Sequence, residues 1–183
     1  MENKLKPKAG HLEIIGETIA KFELFDNGWN PYSRFLDIDK VDILLRRTSG
    51  GEIHYREVQV KYGKLHDKLS KWEYDYFYVT SFRFFNPKEF DNTQDNLFIF
   101  YVLHPDSGYK GDIFIFPIKD FRNLLKEAVK SKQHVKLYMS RLKGETEKWI
   151  IRKSTNGKDF KSGINNINSI DISKYYRNFR LLD

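Results

Sequence analysis

The sequence predicts a single α/β domain over residues 1–183. Three patterns indicate this fold class: an amphipathic helix near the start, two strand patterns joined by a glycine turn, and a later apolar run with the length of a buried strand. A chain of 183 residues has the length of one domain and can bury a substantial core. We therefore expect helices packed against a sheet.

The first predicted element is an amphipathic helix in residues 10–28. Its large apolar residues recur at steps of three and four, which predicts one inward stripe ending at a glycine. These residues are Leu12, Ile15, Ile19, Phe22 and Phe25. Glu13 and Glu17 lie one turn apart, so both can face the same neighbouring element.

Three strands are predicted to follow this helix. The first spans residues 29–34, where Pro31 indicates an edge strand or an irregular start. The second spans residues 41–46. The third spans 53–61 and returns beside the second as a hairpin, because residues 48–51, Thr-Ser-Gly-Gly, are a turn signal.

The third strand carries polar side chains on one face. Alternate side chains of a strand share a face, so Glu57, Gln59 and Lys61 point one way while Val58 and Val60 point into the opposite, apolar layer. Adjacent strands lie about 4.8 Å apart, so a side chain on the second strand can reach this polar face.

Asp42 on the second strand completes a chemical pattern with Gln59 and Lys61. Carboxylate and amide oxygens can bind a metal ion, and a lysine beside them can orient or deprotonate a water or stabilise negative charge on a phosphate. The pattern therefore predicts a hydrolytic metal site. Taken singly, each residue also fits a solvated sheet face, and Glu17 fits an exposed helix position.

Together these residues resemble the PD-(D/E)XK nuclease superfamily, the fold of many restriction enzymes, archaeal-type Holliday-junction resolvases and Mrr-like proteins. The resemblance covers the opening αβββ unit, about the first third of the chain. It rests on Gly16-Glu17 and Ile19-Ala20 in the helix, Gly28-Trp29 at the first strand, Asp42 in Val41-Asp42-Ile43-Leu44-Leu45, and Gln59-Val60-Lys61 at the (D/E)xK position.

Gln59 departs from the family pattern, in which Asp or Glu is usual and QxK is a variation of Mrr-like branches. A neutral amide can bind a metal through its carbonyl oxygen but adds no charge, so weaker metal binding is expected. Glu57 lies two residues away, roughly 6 to 7 Å along the strand, and cannot occupy the same coordination position. Glu17 is the better candidate for a second carboxylate.

The resemblance implies a restriction-endonuclease-like αβββαβ core, with a central mixed sheet flanked by helices. It also implies a magnesium-dependent deoxyribonuclease that hydrolyses phosphodiester bonds, with Mn²⁺ as an alternative metal. Asp42 would bind the ion together with Gln59 and the Val60 carbonyl, Glu17 would hold a second ion or its waters, and Lys61 would position the nucleophile. Roles in restriction, recombination or repair stay open, as does the form of the DNA substrate.

The charge of the chain favours a polyanionic partner, here DNA. The formal net charge is +7 and the isoelectric point is about 9.3. The arginines that flank the proposed site and could contact phosphates are Arg34, Arg46, Arg47 and Arg56. Lys64, Lys68 and Lys71 recur at helical steps, which fits either a basic ridge on a short helix or a solvated face.

Composition also excludes several classes of protein. With 0 Cys the chain can form no disulfide and no thiolate zinc site, and its five histidines show no close pair at ligand spacing. The longest apolar run, residues 97–103, is too short to span a bilayer. We expect a cytoplasmic protein without a membrane partner, and the sequence leaves a homodimer open.

The second half of the chain predicts further elements with less detail. Residues 74–85 are dense in aromatics and fit either a strand or a helix. The other predicted elements are strands at 97–103 and 112–117, a helix at 119–131, a hairpin of 134–141 with 148–153, and a last helix within 170–179.

A second interpretation keeps the fold without the chemistry. The chain would then be a DNA-binding or protein-interaction module on the same fold, with Gln59 as the sign of a lost active site. Cleavage of DNA by the unaltered chain would exclude this interpretation.

Overall fold

The computed structural model describes residues 9–33, 40–144 and 148–183. These residues form ten strands, three α-helices and four short 3-10 segments. The helices are α1 (Ala9–Asp26), α2 (Lys71–Tyr76) and α3 (Ile118–Glu127). The strands are β1 (Asn30–Ser33), β2 (Ile43–Ser49), β3 (Glu52–His66), β4 (Phe77–Phe85), β5 (Leu97–Pro105), β6 (Ile113–Pro117), β7 (Val129–Ser131), β8 (His134–Leu142), β9 (Trp149–Arg152) and β10 (Ser169–Asp171).

All ten strands belong to one large sheet. Its main path runs β1-β2-β3-β4-β8-β9-β10, while β5 joins β3 and β6, and β7 joins β8. The β3–β5 pair is parallel, and the other named pairs are antiparallel. The predicted α/β class is confirmed, with a sheet that is mostly antiparallel and few helices.

The long strand β3 organises the sheet. One of its edges pairs with β5 from Glu57 to Leu65. Its other edge pairs first with β2, over residues 52–58, and then with β4 through Leu65 and His66. Between these two ladders the described part of the chain offers that edge no strand partner. A gap therefore opens in the sheet between the start of β2 and the end of β4.

Helix α1 covers one face of the sheet with only part of the predicted stripe, of which Ile19 packs against the core. Its buried positions include Gly16, Ala20 and Leu24, whereas Phe22 and Phe25 are 70% and 67% exposed. Small residues permit close approach: a Cβ added at Gly16 would lie 3.3 Å from the Cβ of Tyr62. The prediction was wrong for Phe22 and Phe25, because the helix approaches the sheet closely at its small residues and buries Leu24 instead.

Apolar clusters lie on both sides of the sheet. One contains Ala20 and Leu24 of α1 with Val58 and Phe100. The other contains residues of α3 and of the opposite sheet face, including Phe121, Leu125, Ile99 and Leu137. A smaller third cluster joins α2 and the β4–β9 region through Trp72, Phe77, Ile150 and Phe160. No helix among the residues described is long and apolar enough to cross a membrane.

Several predictions for the second half of the chain are confirmed. The apolar run at 97–103 is the buried strand β5, the segment at 112–117 is β6, and the hairpin of 134–141 with 148–153 is β8 with β9. The ambiguous segment 74–85 contains both alternatives, because it includes the end of α2 and all of β4.

Other predictions were wrong. The helix expected over 119–131 ends at Glu127, because Val129 to Ser131 pair with β8 as β7. The last helix expected within 170–179 is replaced by β10 and two short 3-10 segments, since residues 169–171 add to the edge of β9. In both places pairing with a neighbouring strand overrides local helix propensity.

The three lysines at helical steps do not share a helix. Lys64 lies on β3, Lys68 in the following connection, and Lys71 at the start of α2; all three are exposed. They therefore lie on a solvated face, and the basic helical ridge is absent from this segment.

Candidate functional site

The gap beside β3 forms a cleft of about 290 Å³. Its walls come from α1, from the start of β2, from the open edge of β3 and from β4. The residues lining it are Glu13, Glu17, Ser33, Val41, Asp42, Gln59, Val60, Lys61, Tyr62 and Arg83. All four side chains predicted to form the site, those of Glu17, Asp42, Gln59 and Lys61, thus meet in one cleft.

Asp42 and Arg83 satisfy backbone groups on the open edge of β3. Asp42 lies just before β2, where its own N–H donates to the Val58 carbonyl at 2.9 Å and its Oδ2 accepts from the Val60 N–H at 2.6 Å. Arg83 Nη1 donates to the Tyr62 carbonyl at 2.5 Å. Unpaired strand groups need partners, so the interruption of the sheet fixes both charged side chains at the cleft.

The Val60 carbonyl points to the same edge. The N–H and C=O of one strand residue point to the same side, and the Val60 N–H meets Asp42 there. A carbonyl oxygen, a carboxylate and an amide are thereby gathered at the end of the β2–β3 ladder. These are the oxygen ligands that Mg²⁺ and Mn²⁺ take in proteins.

Gln59 is 6% exposed, and its Oε1 makes no hydrogen bond to any described residue. A buried acceptor without a partner costs roughly 1 to 3 kcal/mol. Native structures satisfy most such atoms, and an exception calls for an explanation such as a bound ion or water. Gln59 and Asp42 line the same cleft, and their oxygens are donors of the kind that fits a divalent cation.

The surroundings of Lys61 lower the pKa of its side chain. Burial lowers the pKa of its ammonium below the usual 10.5, and the positive charge of Arg83 lowers it further. The carboxylates of Asp42, Glu89 and Glu13 oppose these effects without cancelling them. A lysine with a lowered pKa can accept a proton from water more readily at a given pH.

Glu17 lies at the rim of the cleft and forms an ion pair with Lys21 at 3.6 Å. Glu13, one turn earlier on α1, lines the same cleft, as the one-turn spacing predicted. Glu57 lines a separate pocket with Lys40, Lys88 and other residues, so it lies outside the candidate site.

Arg83 is the main site residue that sequence reasoning missed. It comes from β4, whose identity as a strand was ambiguous, and it reaches the cleft only because β3 and β4 diverge beyond their two-residue ladder. No local motif marks it. Its position depends on a long-range strand pairing that the sequence pattern does not specify.

The predicted phosphate-binding arginines lie in different surroundings. Arg46 is four residues along the chain from Asp42, roughly 13 Å away in extended backbone. Arg34 lies outside the described residues. Arg56 instead donates to the carbonyls of Leu182 and Asp183, at 2.9 and 2.6 Å.

Arg47 and Lys64 are engaged in ion pairs. Arg47 binds the Asp183 carboxylate at 2.5 Å and packs over Trp29, and Lys64 binds Asp106 at 2.7 Å. Arg47 and Arg56 therefore anchor residues 182–183. The sequence had predicted that these two arginines contact phosphates. Arg46, Lys64, Lys68 and Lys71 do not line the cleft.

The described residues contain no group of three or more His, Cys, Asp or Glu side chains arranged to hold a metal. Ion binding at the cleft would therefore depend on Asp42 with the neutral oxygens of Gln59 and Val60. Such a site carries little charge and is expected to bind Mg²⁺ weakly.

Comparisons of the chain with protein-family models, with curated proteins and with solved structures give no match.

Proposed function

We propose that this protein is a divalent-metal-dependent deoxyribonuclease that hydrolyses phosphodiester bonds in a PD-(D/E)XK-like site. One observation carries the proposal: Gln59, whose buried Oε1 has no hydrogen-bond partner among the described residues, lines the same cleft as Asp42 and Lys61, whose pKa is lowered. The arrangement supplies oxygen ligands and a proton acceptor at one place.

The topology supports the proposed family core. Helix α1 is followed by the antiparallel strands β1, β2 and β3, and the next buried strand, β5, lies parallel to β3. The resemblance places a helix before this parallel strand. Here the connecting segment contains the six-residue α2 and the strand β4, which supplies Arg83.

Each residue has a distinct proposed role. Asp42, the Gln59 amide oxygen and the Val60 carbonyl would hold Mg²⁺ or Mn²⁺, which when bound would polarise the phosphate and acidify a water. Lys61 Nζ would orient the attacking water and receive its proton. Glu17 would hold a second ion or its waters.

Arg83 would complement the charge of the scissile phosphate. Its guanidinium lines the cleft near Lys61 and is anchored through the Tyr62 carbonyl, so its position is fixed before DNA binds. A preorganised cation stabilises charge on phosphoryl oxygens without reorganisation during the reaction.

The test is a cleavage assay with supercoiled, linear and branched DNA. We expect nicking or cutting with Mg²⁺ or Mn²⁺ and none with EDTA. The matched control is Asp42→Asn protein purified in the same way, which distinguishes the site from a contaminating nuclease. Inactivity on all three substrates with both metals would contradict the proposal.

A non-catalytic DNA-binding or protein-interaction module is the second candidate. The observation favouring it is the lack of a three-carboxylate group among the residues described. This candidate predicts DNA binding without metal-dependent cleavage, so the same assay, combined with a binding measurement, separates the two.

The lowered pKa of Lys61 predicts a pH dependence. Cleavage should rise with pH as the amine loses its proton, with an inflection below 10.5. Arg83→Gln removes a positive neighbour, so the Lys61 pKa should rise and the inflection should move to higher pH. Single-turnover pH profiles measure this shift. The control is Arg46→Gln, outside the cleft; an equal shift in both variants would contradict the assignment.

A further inference from the structure

An exposed aromatic surface lies on the α1 side of the sheet, over the part of that face that α1 does not cover. Phe82 and Phe84 of β4 stand directly opposite Tyr138 and Lys136 of β8. Opposite residues of paired strands share a face, so the four side chains form one patch. His66 joins it, stacked on Phe82 at 5.5 Å with an interplanar angle of 17°. We name these five residues the aromatic platform.

The platform is solvated although its rings are large and apolar. Phe82 is 41% exposed and Phe84 is 52% exposed. Contiguous apolar groups on a soluble surface commonly mark an interaction site. The surface therefore has the features of a contact surface for a partner.

Charge indicates which partner fits. Lys136 Nζ lies 4.1 Å from the ring centroid of Phe82 and 4.6 Å from that of Tyr138. Lys132 is exposed at the turn of the adjoining β7–β8 hairpin. Strands β4, β7 and β8 contain no Asp or Glu. Asp106, which is paired with Lys64, also interacts with His66 at one edge of the platform. The rings with Lys136 complement a polyanion that can stack on aromatic surfaces.

Such a polyanion is a nucleic acid with unpaired bases. Bases inside a duplex are stacked on one another, so only a single-stranded stretch can place its bases flat on protein rings. Lys136 would move from the ring faces to the phosphates as bases occupy them. The combination of stacking rings with a basic border is the usual design of single-strand binding surfaces.

The platform adjoins the candidate site. The α1 side of β3 carries Tyr62 and His66 at alternate positions; Tyr62 lines the cleft and His66 belongs to the platform. On β4, Arg83 lies between Phe82 and Phe84 and reaches the cleft from the other side of the strand. Tyr62 and His66 lie four residues apart, roughly 13 Å along β3, so a DNA strand bound on the platform would reach the cleft over about that distance.

We infer that the aromatic platform binds single-stranded DNA and presents it to the cleft, so that the substrate is DNA with an unpaired segment next to the scissile phosphate. The binding surface stands on its own observations, whereas the substrate assignment rests on the proposed function.

The test measures binding without turnover. Fluorescence anisotropy in EDTA reports the affinity of the full chain for a fluorescein-labelled oligothymidylate and for a blunt duplex. The variant Phe82→Leu/Phe84→Leu should bind the oligothymidylate about tenfold or more weakly, the loss expected for one or two stacked bases, with duplex affinity little changed. The matched control is Phe22→Leu/Phe25→Leu, equally apolar and exposed on α1, which should bind both DNAs like the wild type.

A second variant keeps the test decisive if the double substitution unfolds the sheet. Lys136→Gln leaves every ring in place and should lower the salt dependence of oligothymidylate binding by about 0.7 in the log–log slope, the value of one phosphate contact. Unchanged affinity in the platform variant would overturn the inference. So would an equal loss of duplex binding, or a platform-dependent dimer in sedimentation, which would assign the surface to a second copy of the chain.

Failure of the proposed nuclease function and failure of the platform inference give different experimental results. A chain that binds oligothymidylate through the platform but cleaves no DNA would retain the binding surface and refute the nuclease. A chain that cuts duplex and unpaired DNA equally well in wild type and Phe82→Leu/Phe84→Leu would retain the nuclease and refute the platform's role.

Discussion

Asp42→Asn and Lys61→Met are each expected to reduce metal-dependent cleavage by roughly a hundredfold or more, the range typical for loss of a general base or of a charged metal ligand. Asp42→Asn removes the one full negative charge among the three proposed ligands of the first ion, which are Asp42, Gln59 and the Val60 carbonyl. Lys61→Met removes the proton acceptor and keeps a similar chain length. Single-turnover cleavage rates measured against wild type are the readout.

The folded state should tolerate both changes. The carbonyl oxygen of an Asn at position 42 can still accept the Val60 N–H, which preserves the closing hydrogen bond of the open edge. The pKa of Lys61 is lowered in the folded state, so its charged form costs stability at neutral pH, and Lys61→Met should keep or raise the melting temperature. A large loss of stability in either variant would mark the residue as structural.

Glu73→Ala is expected to destabilise the fold by about 3 to 5 kcal/mol, the cost of leaving a buried charge without its partner. Arg152 on β9 is fully buried, and its Nη1 donates to Glu73 Oε1 of α2 at 2.7 Å. The rings of Phe77 and Tyr138 surround the guanidinium, at 5.0 and 4.5 Å. No water can replace the carboxylate easily in such surroundings.

Urea unfolding at neutral pH measures this effect. The matched control is Asp106→Ala, which breaks the exposed Lys64 pair and should change the free energy of unfolding far less. Similar losses in the two variants would contradict the account of a buried ion pair. An unchanged m-value is needed for the comparison.

The ion pair of Glu73 and Arg152 also predicts how the stability of the fold depends on pH. Burial alone would raise the pKa of Glu73, but hydrogen bonds from Ser70 and Arg152 and the charge of Arg152 outweigh it and hold the pKa below 4.5. The folded pKa is therefore lower than the unfolded one, so the stabilisation is complete above about pH 4.5 and is lost as pH falls through the folded value. The stability difference between wild type and Glu73→Ala should shrink in that acidic range.

The opening αβββ segment was predictable from the sequence because its signals are local. The turn at residues 48–51 and the alternation of Glu57, Gln59 and Lys61 specify a hairpin, and the hairpin register then places Asp42 beside Gln59. The continuous apolar run of β5 likewise specified a buried strand.

The remaining features depend on contacts between distant segments. Arg83 reaches the cleft because β3 pairs with β4 through Leu65 and His66 alone and then diverges. The buried face of α1 depends on close approach at Gly16 and on Leu24, whereas Phe22 and Phe25 stay exposed. Strand β7 forms because β8 offers an edge. None of these long-range contacts is marked by a periodic pattern or a motif in the local sequence.

The central claim is that Gln59 and Asp42 together bind a divalent ion, and calorimetric titration of Mn²⁺ tests it most directly. Wild type should bind weakly, and Gln59→Glu should bind about tenfold or more tightly because it adds a negative charge at the ion. Gln59→Leu, which removes the amide oxygen, and Asp42→Asn should both bind more weakly than wild type. Indistinguishable Mn²⁺ affinities in wild type, Gln59→Glu and Gln59→Leu would place Gln59 outside the coordination shell and contradict the account.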